Sequence, residues 1–124
     1  MKDFRDLKVW HKAHHVALAC YTLTRSFPRD EIFGLVSQIR RCGASVAANI
    51  AEGCGRGTYQ DNRRFVRIAR GSLYETRHWL RRAFRRKLLT DKQIQALKPL
   101  VDNLGPQLNA YLKSIGMTRE LGDQ

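Results

Sequence analysis

Leu35-Val36-Ser37-Gln38-Ile39-Arg40-Arg41-Cys42-Gly43-Ala44-Ser45-Val46-Ala47-Ala48-Asn49-Ile50-Ala51-Glu52-Gly53-Cys54-Gly55-Arg56-Gly57 is the stretch that decides the fold. Its apolar residues Leu35, Ile39, Val46 and Ile50 recur at the period of a helix, with Gly43 filling the turn between, and not at the period-2 alternation of a strand. Gly43, Ala44, Ser45, Ala47, Ala48 and Ala51 are all small, so a neighbouring backbone can approach closely. Such a helix is expected at the centre of a bundle. Polar Asn49 and Glu52 stand near its exit, followed by Gly53, Gly55 and Gly57, which can take the left-handed conformation that ends helices.

Outward from this centre, residues 8 to 26 read as a first helix. Trp10, Ala13, Ala17, Cys20, Thr24 and Phe27 follow steps of three and four, the seam of an antiparallel bundle. Asp6 can cap its start, and Pro28 stops it, because the residue before proline is pushed out of the helical region. Asp30 is the expected cap of the second helix, with Glu31 and Ile32 in its first turn and an end near Glu52. The third helix runs from about Tyr59 to Leu88. On it Arg63, Arg67, Arg70, Tyr74, Arg77, Arg81 and Arg85 fall on one stripe, on the order of 33 Å long at about 1.5 Å per residue. Phe65, Ile68, Ser72, Thr76, Trp79, Leu80 and Ala83 are expected on the opposite side. Thr90 and Gln93 form a capping box for the fourth helix. Its apolar face is Ile94, Leu97, Val101, Leu104, Leu108, Tyr111, Leu112 and Ile115. Pro99 and Gly105-Pro106 predict a kink or break near 98 or 105, because an internal proline removes a hydrogen bond and clashes with the preceding turn. Residues 1–115 thus read as a single all-α domain, and residues 116–124 as a polar tail that frays.

Charge is the informative part of the composition. The 124 residues carry 23 Lys and Arg against 11 Asp and Glu, a net charge of +12. Most of the excess lies between residues 32 and 90, and Arg outnumbers Lys, which suits forked contact with phosphate. A single-sign patch of this density repels itself, and nucleic acid is its commonest counter-charge. The three cysteines (Cys20, Cys42, Cys54) stand at unrelated spacings, which argues against a disulfide framework and for a reducing compartment. The first residues lack an apolar signal core and no run approaches a membrane span, so a cytoplasmic protein without membrane contact is expected.

Ser45-Val46-x-x-Asn49-Ile50-Ala51-Glu52-Gly53-x-Gly55-Arg56 resembles the signature of the proteins encoded in intervening sequences of bacterial 23S rRNA genes. Phe4-x-x-Leu7-x-Val9-Trp10-x-x-Ala13, Phe27-Pro28-x-x-Glu31-x-Phe33-Gly34-Leu35, Gln38-Ile39-Arg40-Arg41 and Ala69-x-Gly71-Ser72-x-x-Glu75 agree in order. Beyond Glu75 the likeness fades into Arg77-His78-Trp79-Leu80-Arg81-Arg82-Ala83-Phe84-Arg85-Arg86-Lys87. The resemblance implies an antiparallel, up-down-up-down four-helix bundle and a ring-like homo-oligomer, a pentamer. It implies no established activity. Accessory proteins of diversity-generating reverse transcriptases, which bind nucleic acid, are a distantly similar class.

Several smaller constellations compete with the arginine stripe. Gly53-Cys54-Gly55-Arg56-Gly57-Thr58 lacks the Gly-Lys-Ser/Thr and the preceding strand of a phosphate-binding loop. His11, His14 and His15 share helical spacing but have no third ligand placed with them, so neither metal nor cofactor is expected. Arg5 and His11 match the Arg-x(4–6)-His pattern of ribonucleases that resemble the HEPN group, in which a histidine could take a 2′-hydroxyl proton. Such a pair arises easily by chance in so arginine-rich a chain. Asn49, Glu52, Glu75, Arg41 and Arg56 are expected to form a structural polar network pinning the helix ends, because a buried carboxylate needs a partner.

Along the third helix the only acids are Asp61 and Glu75, so pairing within the helix cannot neutralise the stripe. The expectation is a non-enzymatic protein that binds structured RNA or DNA by shape through Arg63, Arg67, Arg70, Arg77, Arg81 and Arg85, broadened by Arg64, Arg82, Arg86 and Lys87. The alternative is an assembly or adaptor protein whose basic rim docks an acidic protein. A HEPN-like ribonuclease comes last.

Overall fold

The computed structural model describes residues 3–117. Four helices make up the described chain: α1 (Lys8–Thr24), α2 (Ser37–Cys54), α3 (Tyr59–Arg85) and α4 (Asp91–Ser114), with no strand among the described residues. Each helix packs against the next, and α1 closes the ring against α4. This is the up-down-up-down bundle that the helical periodicity and the family likeness call for.

The core is built where the periodicity puts it. Ile39, Cys42, Gly43, Val46, Ala47 and Ile50 of α2 are buried, and α2 makes its most extensive contacts with α3 and then α1. Close approach is visible at Gly43, where an added Cβ would lie 3.4 Å from Cys20 Sγ. On α1 the buried line is Val9, Ala13, Val16, Cys20 and Thr24, whereas Trp10 and Ala17 are only partly covered. A helix wedged between two neighbours buries a wider face than a single seam, which explains the added Val9 and Val16.

Local details depart from expectation at the helix ends. Asp6 does not cap α1: its N-cap is Leu7, which has no capping side chain, while Asp3 caps a short 3₁₀ turn at Phe4–Asp6. Asp30 does not cap α2 either. The chain passes through a 3₁₀ turn (Arg29–Glu31) and a π-turn (Ile32–Val36), where the Glu31 carboxylate accepts from the Leu35 N–H. That wider turn leaves Phe33 on the outside, 95% exposed. Of the three glycines at the exit of α2 only Gly57 takes a positive φ, +88°; Gly53 is buried inside α2, against α3, and Gly55 keeps a right-handed backbone.

Thr90 and Gln93 form the capping box at the start of α4. The expected break does not occur, since α4 runs through both Pro99 and Pro106. A proline orphans the carbonyl four residues before it, here those of Gln95 and Asp102. Gln95 is exposed and Asp102 half-exposed, so water can satisfy both carbonyls and the helix continues. The expected fraying of residues 116–124 falls mostly outside the described residues; Gly116, with φ +87°, turns the chain after α4. No helix among the described residues is long and apolar enough to cross a membrane.

Candidate nucleic-acid interface

Helix α3 owes its start to Thr58, whose hydroxyl accepts from the Asp61 N–H, and its orientation to the buried line Val66, Ala69, Leu73, Thr76, Leu80 and Ala83. This line is rotated from the expected one. Ile68 is exposed, Phe65, Ser72 and Trp79 are half-buried, and Val66, Ala69 and Leu73 take their place in the core. The rotation divides the arginine stripe into two sets with different work.

The first set faces α4. Arg63 Nη1 donates to the Ile115 carbonyl at 2.7 Å, Arg70 Nη1 to Asn109 Oδ1 at 3.1 Å, and Arg77 Nη2 to Asp102 Oδ1 at 2.8 Å. All three are half-buried, and they stand seven residues apart. Seven residues return a helical side chain to nearly the same line. Asp102 and Asn109 carry the same step on the antiparallel partner. That heptad was the signal in the sequence for an interhelical ladder. Two of these three hydrogen bonds go to neutral groups, so Arg63 and Arg70 keep their full positive charge; only Arg77 meets a carboxylate.

The second set faces water. Arg67, Arg81, Arg82 and Arg85 are exposed and have no ion-pair or hydrogen-bond partner among the described residues, and exposed Lys87 follows at the end of the helix. Tyr74, 60% exposed, and His78 stand among them on the same outer face. Three nearby arginines have partners. Arg64 lies 3.7 Å from Asp61 and over the Phe65 ring, and Arg41 pairs with Glu75 at 2.5 Å. Arg86 pairs with Glu31 at 2.5 Å, and this guanidinium, with the Leu35 N–H, holds the Glu31 carboxyl below its usual range.

The expected polar network is three separate groups. Arg41 bridges Gln38 and Glu75 across α2 and α3. Asn49 donates to the Ser45 carbonyl and hydroxyl, and Ser45 Oγ meets Ser72 Oγ at 2.9 Å. Glu52 is exposed, not buried, and its partner Arg56 is a surface neighbour one turn away at 3.6 Å. Gly53, between Asn49 and Arg56, turns the apolar side of this helix end to α3, so Glu52 faces out.

Near the start of the chain Arg5 does not converge with His11. The Arg5 guanidinium is held by both carboxylate oxygens of Asp3, and His11 Nε2 lies 2.6 Å from the Arg5 carbonyl oxygen. His14 stacks on Trp10, with ring centroids 5.0 Å apart. Cys20 and Cys42 are buried free thiols; burial and the neighbouring Cys42 push the Cys20 thiol up to about 12.

Comparison with known proteins fits this bundle. No curated protein matches the chain. Among solved structures, a protein of unknown function from the S23 ribosomal protein family of Bacteroides thetaiotaomicron superposes with a TM-score of 0.78 at 24% identity. The match covers 86% of this chain and 96% of that one, which establishes a shared fold. The family model for the 23S rRNA-intervening sequence protein matches residues 5–110, and the chain belongs to that family.

Proposed function

We propose that the protein binds nucleic acid, RNA or DNA, through the outer face of α3, without catalysing a reaction. The observation that carries the reading is the row Arg67, Arg81, Arg82 and Arg85, exposed and unpartnered among the described residues, while Glu75, Asp61 and Glu31 are engaged by Arg41, Arg64 and Arg86 and Asp91 alone stands beside Arg85 and Lys87. Arg63 and Arg70 add charge from the seam with α4. Phosphate contacts of this kind carry no sequence information, so the face recognises shape and charge density. A binding role, and not cleavage by Arg5 and His11, is supported by the engagement of that guanidinium with Asp3. The buried free thiols Cys20 and Cys42 suit a reducing, cytoplasmic setting.

The test is a salt titration of binding to duplex and hairpin RNA and DNA. Affinity should fall steeply with salt, and replacing Arg67, Arg81 and Arg85 by Ala should flatten the slope by about 0.9 per lost duplex phosphate contact. A flat salt response overturns the reading.

Self-association is a second proposal, with a ring, a pentamer, as the expected form. It is supported by exposed apolar side chains away from α3: Phe33 at the π-turn, and Leu18 and Leu100 along the groove between α1 and α4. Light scattering that returned a monomer at all concentrations would defeat it. If such assemblies bound acidic protein and no nucleic acid, the basic face would be an adaptor surface instead.

A further inference from the structure

Where the C-terminal half of α3 leaves the N-terminal half of α4, a groove of about 370 Å³ opens beside the basic face. Its lining is apolar: Leu80 and Phe84 from α3, and Ile94, Leu97 and Val101 from α4. Phe84 is 39% exposed, so a substantial part of its surface meets solvent. The rim carries Arg77 and Arg81 from α3 and Lys98 and Asp102 from α4, so its cations outnumber its one carboxylate. Arg77 is engaged with Asp102, but Arg81 and Lys98 have no partner among the described residues.

An apolar floor between two free cations fits a ligand with a flat apolar body and an anionic linkage. We propose that this groove takes one unpaired nucleotide, its base against Phe84 and Leu80 and its phosphate between Arg81 and Lys98. The proposal rests on the reading of the α3 face given above and deepens it. Arg81 belongs to both surfaces, so a strand tracking the outer arginines is carried to the mouth of the groove. Arg67 and Arg81 are about 21 Å apart along the helix, and exposed Tyr74 and His78 lie between them. Cations interleaved with aromatic rings are the arrangement that holds single strands, because every base has a face to stack whereas a duplex keeps its bases inside. The face therefore selects single-stranded or looped-out segments over blunt duplex. The volume agrees, being at the lower end of the range of small-ligand sites and ample for one base.

The test compares oligouridine with a blunt RNA duplex of equal phosphate number, at fixed salt, by fluorescence anisotropy. Wild-type protein should prefer oligouridine. Phe84→Ala should weaken oligouridine binding on the order of tenfold and leave duplex binding nearly unchanged. Phe84→Leu, which keeps an apolar side chain but lacks the ring, should lose most of the same preference. Arg67→Ala should weaken both probes alike. Photo-crosslinking with 5-iodouridine should map to the peptide carrying Phe84. Equal losses for both probes in Phe84→Ala, or no loss, would overturn the groove while leaving the basic face standing. Polyglutamate of matched charge competing as well as oligouridine would also overturn it, and would assign the groove to an acidic peptide. If neither nucleic acid binds in a salt-dependent way, the basic face itself fails.

Discussion

Gly53 of α2 and Asn62 of α3 are packed so closely that a Cβ on the glycine would lie 2.7 Å from Asn62 Oδ1 and 2.9 Å from Phe65 Cβ. The second atom is attached directly to the backbone and cannot swing aside. Gly53→Ala should therefore push α3 away from α2 and cost about 1–3 kcal/mol. Gly71, mid-helix on the exposed side of α3, has nothing within 4 Å of an added Cβ. Gly71→Ala should stabilise by about 0.5–1 kcal/mol through helix propensity. Thermal denaturation of the two variants should give shifts of opposite sign.

The arginines of α3 should separate into two classes. Arg63→Ala and Arg77→Ala remove hydrogen bonds to Ile115 and Asp102 that hold α4. Each should lower stability by about 1 kcal/mol or less, since these side chains remain partly in water. Arg67→Ala, Arg81→Ala and Arg85→Ala should leave Tm unchanged and weaken polyanion binding. Parallel measurement of Tm and Kd checks this; a Tm loss for Arg81→Ala equal to that for Arg63→Ala would contradict it.

Acid should loosen the corner where α2 begins. Arg86 and the Leu35 N–H lower the folded-state pKa of Glu31, so its contribution to stability is present above the ordinary glutamate range and is lost as pH falls through that range towards the lowered value. Glu31→Gln should reduce Tm at neutral pH and shrink the difference from wild type below about pH 4. Melting curves between neutral and acidic pH test the sign.

The two buried thiols, Cys20 and Cys42, should be silent in the native protein. Burial raises the pKa of Cys20 to about 12 and that of Cys42 in the same direction. Since the thiolate is the reactive form, both should resist alkylation at mildly alkaline pH until the bundle unfolds, while half-exposed Cys54 reacts first. Mass spectrometry after timed iodoacetamide treatment distinguishes the three. Above the ordinary thiol range the unfolded chain ionises and the folded one resists, so stability should fall as pH rises there.

Much of the bundle was legible because Leu35, Ile39, Val46 and Ile50 have only one helical face to offer, and because Thr90 and Gln93 announce their own helix start. At the prolines a break was one of the two outcomes expected, and it does not occur: sequence shows the missing N–H but not whether water reaches the carbonyls it orphans. The turn at Ile32–Val36 was misread for a similar reason: a π-turn has no propensity signature, and Glu31 shows its capping role only once Leu35 is placed. On α3 the charge was evident, but a helical wheel has no fixed zero. The burial of Val66 and Leu73 sets that zero, and with it the seven-residue spacing of Arg63, Arg70 and Arg77 becomes a ladder to a neighbour while Arg67 and Arg81 face water.

Pro99 and Pro106 have a consequence for the motions of the bundle. Each removes one rung from the ladder of amides along α4, and the two gaps lie on the same outer side. Helix α4 is thereby the segment whose backbone should exchange its amide protons earliest, ahead of α2, which has no such gap. An excursion that lifts α4 would also unfasten Arg63, Arg70 and Arg77 together. A brief opening on one side of the molecule would widen the positive strip by three side chains.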